Sequence, residues 1–80
     1  MAEHLGDRIR LARTRLRLSQ AELARRIGIS TTAMNQIEMG VTDPRASRIK
    51  AIAEVLNVST DYLFGRGEVA ESDFLTAVAS

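Results

Sequence analysis

The stretch STTAMNQIEMG, residues 30–40, gathers the side chains best suited to recognition. Thr31, Thr32, Asn35 and Gln36 are two hydroxyls and two amides, with no Lys or Arg among them. Each can donate and accept hydrogen bonds without carrying charge. Ala33, Met34 and Ile37 stand at i, i+1 and i+4, so they share an apolar helical face. A helix of this kind buries one side and presents four neutral hydrogen-bonding groups on the other. That outer side is either an ordinary solvated face or a surface that recognises something polar.

Other chemistries find little support. The chain has no cysteine, and its one histidine is His4 near the N-terminus. Metal sites need clustered ligands, and no Gly-rich phosphate loop is present. Neither an enzyme nor a metal or other cofactor is therefore expected. The 80 residues suffice for one small domain. A domain of this size buries only about 60% of its unfolded surface. It must stand without the disulfides or metals that often support small folds. Glu3 and Asp7 flank an N-terminus without an apolar h-region, which is unlike a signal peptide. No apolar run approaches the ~20 residues that span a bilayer. The expectation is a soluble cytoplasmic protein with no membrane partner.

The net charge is +1, but its distribution is uneven. Residues 8–50 hold ten basic and three acidic side chains, whereas residues 51–80 hold five acids against Arg66. A basic body with an acidic C-terminal third suits a polyanion on one face, or simply solvates its helices.

The elements that must position residues 30–40 read as helices throughout. Aromatic content is 4%, proline occurs once, and no segment alternates with period 2. A first helix is expected over residues 3–17, with the stripe Leu5, Ile9, Ala12 and Leu16. Ser19-Gln20-Ala21-Glu22 is a capping box opening a second helix, with Leu18 and Leu23 as its hydrophobic staple. That helix ends at Ile27, and Gly28 supplies a left-handed residue. Ser30 caps the third helix, which stops at Gly40. Asp43 then caps a fourth, with Pro44 at its first position. Ile49, Ile52, Ala53 and Leu56 form its apolar face, and Asn57 ends it. Ser59 caps a short fifth helix whose Leu63 and Phe64 point inward. Residues 1–65 form the domain. Residues 66–80 are a C-terminal tail, in which Ser72 either caps a last turn or two carrying Phe74, Leu75 and Val78 or belongs to a loose segment.

Two short helices joined by Gly-Ile-Ser have the spacing of a helix-turn-helix. Ala24 is the small residue needed where the two cross, and Ile29, Met34 and Ile37 seal the junction. On these features, residues 18–63 resemble the DNA-binding domain of phage repressors and Cro proteins, the xenobiotic-response-element family. Gln20, Leu23, Ala24, Gly28, Ile29, Ile37, Glu38, Gly40, Pro44, Ile52, Ala53 and Leu63 carry the resemblance, which covers residues 5–64. It implies an all-α, compact five-helix, lambda-repressor-like fold with its helix-turn-helix at helices two and three.

The resemblance gives the exposed face of helix three a role. That helix would lie in a major groove. There Gln or Asn pairs with adenine N6 and N7, and a Thr methyl packs on a thymine methyl. Thr31, Thr32 and Gln36 match base-facing positions, with Asn35 a further candidate that can instead reach a phosphate. With no cation on this face, affinity must come from phosphate contacts elsewhere. Gln20 matches a position that clamps the backbone at the start of helix two. Arg45 is the next phosphate candidate, then Arg25 and Arg48, each of these three being either a phosphate contact or an ordinary surface charge. An Arg13–Glu38 ion pair is implied beneath helix three, as a structural element. The family also implies a homodimer on a palindromic operator, with half-sites about 34 Å apart. Val58, Tyr62 and Phe64 are candidates for the dimer surface, joined by Phe74, Leu75 and Val78 of the tail, with Leu63 more suited to the core. The function implied is a DNA-binding transcriptional regulator of repressor type. The rival reading is an antitoxin or adaptor that binds a protein through residues 66–80. Thr31 and Thr32 stand where phage repressors often carry glutamines, so no target sequence can be borrowed.

Overall fold

The computed structural model describes residues 4–65, so expectations for residues 66–80, Phe74, Leu75 and Val78 included, lie outside the described residues. Within the described residues five helices follow one another: α1 (Leu5–Arg15), α2 (Gln20–Ile27), α3 (Thr31–Glu38), α4 (Ala46–Leu56) and α5 (Thr60–Phe64). They pack around one core of Ile9, Ala12, Leu23, Ala24, Met34, Ile37, Ile49, Ile52, Ala53, Leu56, Tyr62 and Leu63. Each helix contributes from its apolar face, as 3.6-residue periodicity requires. None of the described helices is long and apolar enough to cross a membrane.

Helix starts and stops follow local chemistry. Ser19, Ser30 and Ser59 are N-caps, each side chain accepting from a backbone N–H three residues on. The ends of α1 to α4 close in one way. After α2, Ile29 N donates to the Ala24 carbonyl and Gly28 N to that of Arg25. The same two bonds recur around Arg17, Gly40 and Asn57. This is the Schellman closure, and it places one residue in the left-handed region. Glycine fills it at positions 28 and 40, whereas Arg17 (φ 58°) and Asn57 (φ 57°) carry side chains there.

Three expectations need correction. Helix α1 ends at Arg15, because left-handed Arg17 turns the chain back and gives the Leu18 N–H to the Arg13 carbonyl at 3.1 Å. Asp43 does not cap α4, and Pro44 is not its first residue. Arg45 is still extended (φ −72°, ψ 163°), and it holds the N-cap position without a side-chain bond. Proline's fixed φ fits extended chain as well as helix, so residues 42–45 bridge α3 and α4 instead. Phe64 points outward, 42% exposed, while Tyr62 and Leu63 take the inner face at 3% and 0%. One residue of rotation, about 100° on a helix, separates this from the expected Leu63–Phe64 pair.

Candidate nucleic-acid interface

Helix α3 is held from beneath. Met34 and Ile37 are sealed in the core, and Glu38 is the one buried charged side chain among the described residues. Arg13 of α1 meets Glu38 in a two-pronged pair: Nε donates to Oε2 at 2.8 Å and Nη2 to Oε1 at 3.0 Å. Arg13 Nη1 also donates to the Leu18 carbonyl at 2.9 Å. One guanidinium thus ties α1 to the end of α3 and to the segment entering α2. Charge-assisted bidentate bonds are the stronger class of hydrogen bond.

Gly6 sets how closely α1 approaches. A Cβ at this buried position would overlap the carbonyl oxygens of Ile37 and Glu38. Helix α1 therefore rests backbone against backbone on the last turn of α3. The sequence gives no local cue for this, because a glycine inside a helix pattern looks only like a weak point.

With α3 so fixed, Thr31, Thr32, Asn35 and Gln36 are all exposed on one side. They do not behave alike. Asn35 Nδ2 donates to Met39 Sδ at 3.4 Å, and Asn35 Oδ1 accepts from Gln20 Nε2 at 3.3 Å. Gln20 Nε2 also reaches Glu38 Oε1 at 3.3 Å. Gln20 is the first residue of α2, where unpaired backbone N–H groups and the helix dipole favour an anion. Beside it lies a pocket lined also by His4, Asp7, Arg10 and Arg13. There Asp7 pairs with His4 at 3.0 Å and with Arg10 at 3.3 Å.

The expected phosphate residues fall into two groups. Arg45 and Arg48, at the start of α4, are exposed and form no ion pair among the described residues. Arg25 is engaged with Glu22, which also takes Arg26 at 2.9 Å. Hydrogen bonds from these two arginines hold the Glu22 carboxyl down at about 2. Glu22 thus turns to the arginines, not back to complete the capping box. Of the expected dimer residues, Tyr62 belongs to the core and is withdrawn from the surface, whereas Val58 is half-buried and Phe64 exposed. No group of His, Asp or Glu among the described residues could hold a metal.

The model of a helix-turn-helix family matches residues 9–63. The chain belongs to this helix-turn-helix family. The match runs from the buried Ile9 of α1 to the buried Leu63 of α5, so it spans the whole core of the family domain. Repressor protein C2 of Salmonella phage P22 is 33% identical over 69 residues, covering 86% of this chain and 32% of that protein. An uncharacterized transcriptional regulator in the ATPase CF(0) region of Rhodospirillum rubrum is 46% identical over 61 residues, covering 76% of this chain and 56% of the regulator. The chain therefore spans a third to about half the length of these family members. Among solved structures, the P22 c2 repressor in complex with a synthetic operator superposes with a TM-score of 0.73. It is 35% identical, covering 78% of this chain and 94% of that one. The solution structure of the same repressor's DNA-binding domain gives a TM-score of 0.77 at 32% identity, covering 89% and 92%. The five-helix fold is that of the P22 c2 DNA-binding domain.

Proposed function

We propose that the chain is the DNA-binding unit of a transcriptional repressor, that it binds a palindromic operator as a homodimer, and that α3 enters the major groove. The observation that carries this reading is the likeness to the operator-bound P22 c2 repressor, at 35% identity and over most of both chains. The exposed face of α3 supports it. Thr31 and Thr32 offer methyl and hydroxyl groups to base edges, and Gln36 offers an amide suited to adenine. The face lacks cations, so phosphates are held from its flanks. The first turn of α2 at Gln20 takes one, and Arg45 and Arg48 at the start of α4 take others, with Arg25 available when it leaves Glu22. One such unit reads too few base pairs to be selective in a genome. Two on half-sites one helical turn apart read twice as many. Of the expected dimer residues that are described, half-buried Val58 and exposed Phe64 are those at the surface.

The test is selection on a randomised duplex library at one moderate salt concentration, with Gln36→Ala as control. The expected result is a palindrome with half-sites about 34 Å apart, and relaxed preference at one position per half-site in the variant. A folded protein that enriches no sequence would overturn the reading.

A further inference from the structure

Asn35 and Gln36 are neighbours on the exposed face of α3, yet their side chains are in different situations. Gln36 makes no side-chain hydrogen bond among the described residues. Asn35 is engaged at both ends, its carbonyl by Gln20 at 3.3 Å and its amide nitrogen by Met39 Sδ at 3.4 Å. An adenine contact needs both ends of an asparagine at once, the carbonyl to accept and the NH₂ to donate. Each end already holds one partner within the protein, and the pair of bonds fixes the orientation of the amide.

We propose that Asn35 reads no base and is instead a positioning residue that locks the start of α2 to the reading helix through Gln20. This rests on the reading of α3 as the DNA-facing helix. The two hydrogens of Gln20 Nε2 go to Asn35 and to Glu38, each at 3.3 Å. Glu38 is in turn fixed by Arg13 at 2.8 Å. A continuous chain of bonds, Arg13–Glu38–Gln20–Asn35–Met39, thus crosses all three helices. With both amide hydrogens engaged, Gln20 presents its backbone N–H to a phosphate at the α2 terminus, and its side chain serves as the strut. The strut fixes the separation between that phosphate anchor and the base-facing side chains Thr31, Thr32 and Gln36. Rotamer freedom that would be lost on binding DNA is removed beforehand.

The experiment measures affinity for the duplex recovered by selection, using the whole chain, with Asn35→Ala, Gln20→Ala, their double variant, Gln36→Ala, and Gln36→Ala combined with Gln20→Ala. Asn35 is exposed, so its variant is expected to fold, and circular dichroism confirms this for each protein. Asn35→Ala should weaken binding roughly fivefold, the effect of about one neutral hydrogen bond, with base preference unchanged at every position. The double variant should bind no more weakly than Gln20→Ala, whereas Gln36→Ala combined with Gln20→Ala should show multiplied losses. The proposal is overturned if Asn35→Ala relaxes preference at one base pair, if its loss multiplies with that of Gln20→Ala, or if it has no effect. A wild-type chain that enriches no duplex would instead remove the DNA-facing reading, and this proposal with it.

Discussion

Glu38 joins three helices, because its buried carboxylate on α3 accepts from Arg13 of α1 and Gln20 of α2. Removing one partner of a buried pair leaves the other charge uncompensated, at a cost of about 3–5 kcal/mol. Glu38→Ala should therefore lower the melting temperature by well over ~10 °C, as differential scanning calorimetry would register. An unchanged melting point would show that Arg13 finds water instead. Glu22 behaves differently. Hydrogen bonds from Arg25 and Arg26 hold its carboxyl down from 4.5 to about 2, and its side chain is partly exposed. A depressed acid stabilises the fold above its unfolded value and loses that contribution as the pH falls through the folded one. The contribution should thus hold above pH 4.5 and fade toward pH 2. An NMR titration of the Glu22 side-chain carbons should place its midpoint well below that of a free glutamate. At this scale the family resemblance named Arg13 and Glu38 from their positions alone. The engagement of Asn35 was not legible, because it depends on Met39 and Gln20 meeting across a helix crossing.

At the scale of helices, caps were the most legible feature. Ser19, Ser30 and Ser59 announce their helices by residue type, and Gly28 and Gly40 announce their ends. Arg17 does not, because nothing in an arginine signals a left-handed backbone, so α1 was expected to run two residues too far. Exchange of Arg17 for glycine should relieve that conformation and raise stability by about 0.5–1 kcal/mol, seen as a small upward shift in the denaturant midpoint. Gly6 gives the opposite case. Helix propensity alone favours alanine there by about 1 kcal/mol, yet its methyl group would strike the carbonyls of Ile37 and Glu38. Gly6→Ala should destabilise the domain, and urea unfolding should show a lower midpoint with an unchanged slope. A gain in stability would mean that α1 can move away from α3 without penalty.

For the molecule as a whole, the apolar stripes fixed the number of helices and most of the core, since each buried face recurs at helical spacing. Tyr62 and Phe64 were misassigned because a helix of five residues has too few turns for periodicity to fix its rotation. The uneven charge matters on this scale too. Binding that rests on flanking arginines should fall steeply with salt, and removal of Arg45 should reduce the logarithmic slope by about one. Affinity measured across a salt series would test this, and an unaltered slope would release Arg45 from any phosphate. Thr31, Thr32 and Gln36 stand outside the core cluster, and the cap positions of α3 belong to Ser30 and Met39. Substitutions there meet little folding constraint, so the outer face of α3 can drift in evolution, or be redesigned, while the scaffold beneath it stays the same.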